Sequence, residues 1–176
     1  MTAEHWFIDE NKSNGLMLAV VAVPTSVVGS CRTQMAKLAA EPPRNGRPLH
    51  FYSEEDKTRS QAFRKIQKMP IHCAIIRVSP KIKLAKAREI AFRFVGQLAV
   101  DRTPQRILFE ADESTIKNDR RWLSSEIPKG TGVEYQHLPK SGDPLLWIPD
   151  GIAWAVNRGG HWLEMVKPVI TEEFKL

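Results

Sequence analysis

An unbroken apolar run, Leu16–Val23 (LMLAVVAV), most constrains what this chain can fold into. It is too short to span a bilayer and has no polar residue to turn toward water. Alternate side chains of a β-strand point to opposite faces, so such a run reads as a strand covered on both. That demands a sheet with a packed layer on each side. Just upstream, His5–Asp9 reads as a partner strand. The polar link NKSNG between them contains Asn14-Gly15, the strongest short hairpin signal.

The rest of the chain supplies those layers. A helix starting near Pro24 carries Val28, Cys31, Met35 and Leu38 at helical spacing and stops before the loop EPPRNGRP. LHFY (Leu49–Tyr52) reads as a short strand, followed by a helix with Ser53 and Asp56 as a capping box. Ile71–Val78 is a strand, and the next helix shows the face Leu84, Ala87, Ala91, Phe94, Leu98. Arg106–Ala111 is a strand, Ser114 caps a further helix, and Val133–Leu138 is the last clear strand. Asp150–Asn157 is a helix with Pro149 at its start and Gly159-Gly160 at its end; a short closing helix breaks near Pro168. No repeat or linker divides the chain, so residues 1–176 are expected to form a single α/β domain, a sheet flanked by helices.

Cys31 and Cys73 exclude a disulfide framework or zinc ribbon by number, and read as small buried residues of a reducing compartment. With no signal peptide or membrane span recognisable, a cytoplasmic location without membrane contact is expected. There is no phosphate-binding glycine loop, no GxSxG and no HxxxH pair.

What remains is a set of acids that close or open apolar runs. Asp9 follows Trp6-Phe7-Ile8, Glu110 and Asp112 follow Ile107-Leu108-Phe109, and Asp150 is embedded between Leu145–Ile148 and Ile152–Val156. A carboxylate at the rim of a buried element is costly to ionise unless a cation shares the site. Gathered by folding, such acids make an all-oxygen site for Mg²⁺ or Mn²⁺. Each also has a local explanation. Asp9 can serve a turn, Glu110 and Asp112 can pair with Arg106 or Arg120, and Asp150 can favour its helix dipole. Glu110 and Asp112, two residues apart on a strand, would share one face. Glu54, Glu55 and Asp56 are what a first helical turn favours in any case.

The net charge of +6 suggests a polyanionic partner. Lys57, Gln61, Arg64 and Lys68 form one helical stripe that a phosphate backbone could follow, with Lys83, Lys86, Arg93 and Arg120-Arg121 on other helices. The alternative is a solvated cationic face. The five tryptophans sit mostly in apolar patterns and read as core.

FIDEN before LMLAVVAVP, LHF before a charged helix, and a late LLWIPDGIAWAV together resemble the domain of unknown function 3800 family over nearly the whole chain. The resemblance implies a ribonuclease H-like fold, a carboxylate-bound two-metal site and phosphodiester chemistry. It makes Asp9 the first-strand acid, Glu110 the later-strand acid and Asp150 the terminal-helix acid; Asp112 joins them from strand geometry alone. Asn11 and Lys12 stand where the family has Ser and Gly, and Lys12 brings in a cation able to compete with a metal.

The expected function is therefore hydrolysis of DNA or RNA, with Asp9, Glu110 and Asp150, joined by Asp112, holding two Mg²⁺ or Mn²⁺ about 4 Å apart. Lys57, Arg64 and Lys68 would track the nucleic-acid backbone, and His50 could move a proton. A non-catalytic nucleic-acid- or protein-binding module on the same fold is the alternative.

Overall fold

The structure, a computed structural model, describes residues 3–40, 42 and 44–176. Part of the loop expected over residues 41–48 lies outside the described residues. The described chain forms β1 (Glu4–Asn11), β2 (Met17–Pro24), α1 (Val28–Ala40), α2 (Asp56–Ile66), β3 (His72–Arg77), α3 (Leu84–Arg102), β4 (Arg106–Glu110), α4 (Ile116–Glu126), β5 (Glu134–Leu138), α5 (Trp147–Arg158), α6 (Gly160–Val166) and β6 (Ile170–Lys175).

The strands form one sheet in the order β5-β4-β1-β2-β3-β6. β2 pairs antiparallel with β1 and with β3, while β1–β4, β4–β5 and β3–β6 are parallel. The apolar run thus becomes a central strand, and Met17–Val23 are all buried. Its alternate side chains enter two cores. Met17, Ala19, Val21 and Val23 pack with α1, α2, α5 and α6 on what we call the front face. Leu18, Val20 and Ala22 pack with α3 and α4 on the back. The hairpin turn that sets this alternation places Gly15 at φ +77°, where a Cβ would also press within 3.0 Å of the Val78 carbonyl oxygen.

Four expectations from the sequence need correction. LHFY is not a strand: Phe51–Ser53 form a 3₁₀ turn. Leu49 and Phe51 are fully buried, but no sheet edge is offered to them. The Phe51 N–H turns to Asp150 and its carbonyl accepts from Arg59 Nε at 2.7 Å. Ser53 does not cap α2, whose N-cap is Glu55; the Ser53 hydroxyl donates to the His50 carbonyl instead. Ser114 likewise directs its hydroxyl to Asp112, and Thr115 is the N-cap of α4. Finally, Val133–Leu138 is not the last strand, because ITEEFK forms the edge strand β6. Its alternating exposure seats Phe174 edge-on to Phe94 at 5.0 Å.

The buried face of α3 is rotated from the expected stripe. Ala87, Arg88, Ala91, Phe92, Val95, Gly96 and Ala99 are buried, while Leu84 is exposed. Small residues let α3 lie close to its neighbours, and Arg88 turns inward because acids await it there. The tryptophans are core, as expected: Trp6, Trp122 and Trp147 are buried, and Trp154 and Trp162 pack against the front core. Both cysteines are free and buried, and burial pushes the Cys73 thiol far up. Among the described residues no helix is long and apolar enough to cross a membrane.

Candidate active site

Sheet topology assembles the site. β1 and β4 are parallel neighbours with Ile8 opposite Phe109, so the next residues along, Asp9 and Glu110, emerge side by side at the same sheet edge. Both follow the front-facing parity of Phe7 and Leu108. Glu110 pairs in turn with Leu138 of β5, and two residues beyond lies Lys140. α5 crosses the front face and brings Asp150 in its first turn to the same edge.

The four side chains converge. Lys140 Nζ lies 2.9 Å from Asp150 Oδ2, 3.2 Å from Glu110 Oε2 and 4.0 Å from Asp9 Oδ2. Side-chain exposure is only 10% for Asp9 and 11% for Lys140, against 24% for Glu110 and 22% for Asp150, so the cluster opens to solvent on the Glu110–Asp150 side.

Close packing makes this possible. Gly151 lets α5 press on the Phe51 ring, which stands 2.7 Å from where a Cβ would sit. The Phe51 N–H in turn donates to Asp150 Oδ2 at 3.3 Å. The Lys140 loop is fixed as well. The Trp147 indole N–H donates to the Lys140 carbonyl at 2.9 Å. A little further on, Asp143 accepts from the Leu145 N–H at 2.9 Å and from the Arg32 guanidinium at 2.6 Å.

The electrostatics are unbalanced. Burial, then the charges of Glu110 and Asp150, push the Asp9 carboxyl well above the usual aspartate range, and Lys140 only partly opposes them. For Lys140 burial works against the charged form, but attraction to Asp150, Asp9 and Glu110 wins and raises its pKa. Three carboxylates share a single ammonium in the cluster. Glu110 Oε2 is buried and accepts no hydrogen bond, although the ammonium is near. Carboxylate oxygens, excess negative charge and an orphaned buried oxygen fit a hard divalent cation. Yet among the described residues no three His, Cys, Asp or Glu side chains stand ready to hold a metal ion. The centre of the three acids is taken by Lys140.

Neither protein-family models nor curated protein sequences gave a match. Solved structures did. The chain is similar to one from the PCNA:RNase HII complex of Archaeoglobus fulgidus, at 17% identity over 93% of this chain and 76% of that one, with a TM-score of 0.58. It is similar to a mutant form of Bst-RNase HIII, at 14% identity, TM-score 0.54, covering 94% of this chain and 54% of that one. For ribonuclease H2 from Pyrococcus horikoshii OT3 the identity is 12% and the TM-score 0.52, over 93% of this chain and 75% of that one. The fold is ribonuclease H-like.

Within this ribonuclease H-like frame, the structure brings together Asp9, Glu110 and Asp150 as the sequence suggested. It does not bring Asp112 to them. β4 ends at Glu110, so strand alternation no longer governs Asp112. Asp112 accepts from the Ser114 N–H and hydroxyl and pairs with Lys12 at 3.2 Å. These hydrogen bonds hold its pKa below the usual value. Lys12 is likewise not the competing cation at the acids; it pairs with Glu10 at 2.7 Å and with Asp112. That role falls to Lys140, which sequence reasoning missed, because PKSGDP reads only as a loop. The one available signal was its position just past a strand predicted to lie in the same sheet.

His50 adjoins the site through the chain, one residue before Phe51, with its side chain exposed. Glu54 pairs with Arg44, and Asp56 with Arg59 at 2.8 Å, so these acids serve local structure. Lys57 and Arg64 lie on α2 as expected, whereas Lys68 lies in the turn beyond its end at Ile66; all three are exposed. Arg64 and Lys68, with Lys37 and Lys65, line a cleft of about 580 Å³ between α1 and α2.

Proposed function

We propose that this chain is a divalent-metal-dependent nuclease that hydrolyses phosphodiester bonds of DNA or RNA, and that it belongs to the domain of unknown function 3800 family. One observation carries the reading: three carboxylates from β1, β4 and α5 meet at a sheet edge with more negative charge than their surroundings neutralise. Asp9, Glu110 and Asp150 would hold Mg²⁺ or Mn²⁺ through hard oxygen donors. Bound there, a divalent ion supplies a lowered pKa for its water and charge stabilisation at the scissile phosphate. The chain's own residues do the rest. Glu110 and Asp150, the more exposed pair, face incoming substrate, while Asp9 anchors the site from within. The Lys140 ammonium lies close enough to these acids to attract a phosphate oxygen as well. The α1–α2 cleft and the stripe Lys57, Arg64, Lys68 offer cations to the sugar-phosphate backbone without reading bases. The free buried cysteines accord with a cytoplasmic location.

The test is cleavage of labelled single- and double-stranded DNA, RNA and a DNA–RNA hybrid in Mg²⁺, Mn²⁺ or EDTA. Wild type should cut only with metal, and Asp150→Asn should lose on the order of 10³-fold in rate, as removal of a key transition-state interaction does. Cleavage that persists in EDTA or in the variant would refute the reading. The second reading, a binding module, is favoured by the ammonium already filling the centre of the acids. It requires nucleic-acid binding that EDTA leaves unchanged and no cleavage of any substrate.

A further inference from the structure

Arg32, Arg59, Arg77, Arg93, Arg102 and Arg106 each hold an acid of the chain. The cleft between α1 and α2 is different. Lys37, Arg64, Lys65 and Lys68 line it without an acid beside them, and none of the four has an ion-pair partner among the described residues. Its volume of about 580 Å³ is far too small for a duplex, whose major groove alone is about 12 Å wide, but it admits the phosphates of one strand. Tyr52 precedes the other end of α2 and, at 87% exposure, is the barest large apolar side chain among the described residues. Its turn is nevertheless held firmly. Phe51 is buried and donates its N–H to Asp150, while Arg59 holds the carbonyls of Phe51 and Tyr52 at 2.7 and 2.9 Å. An aromatic face is thus presented to solvent one residue from a contact of the acid cluster. Leu38 and Gln61 border both the cleft and a cavity of about 310 Å³ that reaches Ser53, next to Tyr52. Of the acids at that cavity Glu54 pairs with Arg44, which leaves Glu55 against the cations of the cleft and Lys57, one helical turn before Gln61.

We propose that this face is a track for a single nucleic-acid strand, with phosphates in the α1–α2 cleft and an unpaired base stacked on Tyr52 beside the acid cluster, so that the chain selects single-stranded over duplex substrate. The inference rests on the reading of this chain as one that acts on nucleic acid. A cationic groove joined to an aromatic platform holds single strands of any sequence, because every base has a π-face to stack. In a duplex those faces are covered by the neighbouring base pairs. A small phosphate compound does not fit the arrangement, since the 11 residues of α2 put ~16 Å between the cleft and Tyr52, a span for a polymer.

Fluorescence anisotropy in EDTA, with labelled DNA and RNA oligonucleotides as single strands or blunt duplexes, tests this without any cleavage. Wild type should bind single strands about tenfold more tightly than duplexes of the same sequence. Tyr52→Leu keeps the apolar bulk without the π-face and should lose about tenfold on single strands, whereas Tyr52→Trp should bind as wild type does. An abasic site moved along the strand should weaken wild type at one position and leave Tyr52→Leu unaffected there. The ring is exposed, so these variants keep the fold. Equal affinity of Tyr52→Leu and wild type, an abasic scan that is flat on wild type, or duplexes bound as tightly as single strands would overturn the track. Absence of binding to every nucleic acid would overturn the nucleic-acid reading with it. Single-strand binding through Tyr52 without metal-dependent cleavage would support the track and remove only the nuclease.

Discussion

The sheet carries a buried charge cluster on each face, and both hang from adjacent residues of one strand. On the front, Asp9 joins Glu110, Asp150 and Lys140. On the back, Glu10 pairs with Arg88 and Lys12, and Arg88 forks onto Asp119 with two hydrogen bonds of 2.8 Å. His137, stacked on Phe109, stands 3.4 Å from Asp119. In the back cluster each buried carboxylate meets a cation directly, Asp119 the Arg88 guanidinium and Glu10 both Arg88 and Lys12, and its strongest pair has the fork geometry that suits arginine. The front cluster is mismatched. Burying charge is costly in both places, but only the back offsets that cost with partners of its own. The lesson is that pairing, more than burial or acid content, separates a structural cluster from a site awaiting something from outside.

Substitutions should expose this difference. The largest effect on stability is expected from Arg88→Met, which leaves Asp119, fully buried, without its guanidinium and Glu10 with Lys12 alone. Denaturant unfolding should show a loss of about 3–5 kcal/mol. Glu110→Gln, by contrast, removes repulsion from Asp9 and should shift stability by less than about 1 kcal/mol. Equal losses at both positions would erase the distinction.

Next comes Gly151→Ala, which disturbs the front site through packing alone. Its Cβ would meet the Phe51 ring at 2.7 Å. Unfolding should register about 1–3 kcal/mol of overpacking, and catalysis should fall with it as Asp150 is displaced.

Acid titration offers a subtler contrast. Burial works to raise the Asp119 pKa, but the Arg88 and His137 interactions prevail and hold it below its usual 3.8. A depressed carboxylate contributes stability that is fully present above the unfolded value and is lost as pH falls through the lower folded one. Unfolding free energy should thus decline below about pH 4, and Arg88→Met should lack that part of the decline.

The smallest effect concerns the basic stripe. Replacing Lys57, Arg64 and Lys68 with alanine should weaken nucleic-acid binding modestly and evenly across sequences. The slope of log Kd against log salt should flatten by roughly 0.9 for each duplex phosphate that is no longer neutralised. An unchanged slope would mean that the stripe is only a solvated face.

Much of this was legible from the residues. The apolar run Leu16–Val23 and the Asn14-Gly15 turn require a central antiparallel hairpin, and the acids at the ends of apolar runs mark the site. Those signals are local, and local periodicity survives folding when burial is strong. Lys140, Arg88 and Asp119 were not legible as a group or as a role. Their meaning arises from parallel pairings across long stretches of chain, which no spacing in the sequence encodes. Asp112 shows the opposite failure. A sound rule, strand alternation, was carried two residues past the point where the strand stops. β6 escaped notice because a charged edge strand needs few apolar residues.

The two clusters also give the hairpin turn an unexpected significance. Asp9 and Glu10, adjacent on a strand, face opposite sides in any register; the pairing of Asp9 with Ala19 and Glu10 with Leu18 decides which of them takes the front. A single residue inserted between Asn11 and Gly15 could be absorbed as a longer loop without harm. The same insertion taken up inside β1 would move each residue one place along, presenting Glu10 to Lys140, Asn11 to Arg88 and Asp9 to the buried place of Ile8. The length of a solvent-exposed turn would then decide which acid joins the front cluster. For this chain, the way an insertion near residue 13 is taken up, in the loop or in the strand, decides whether the front cluster survives.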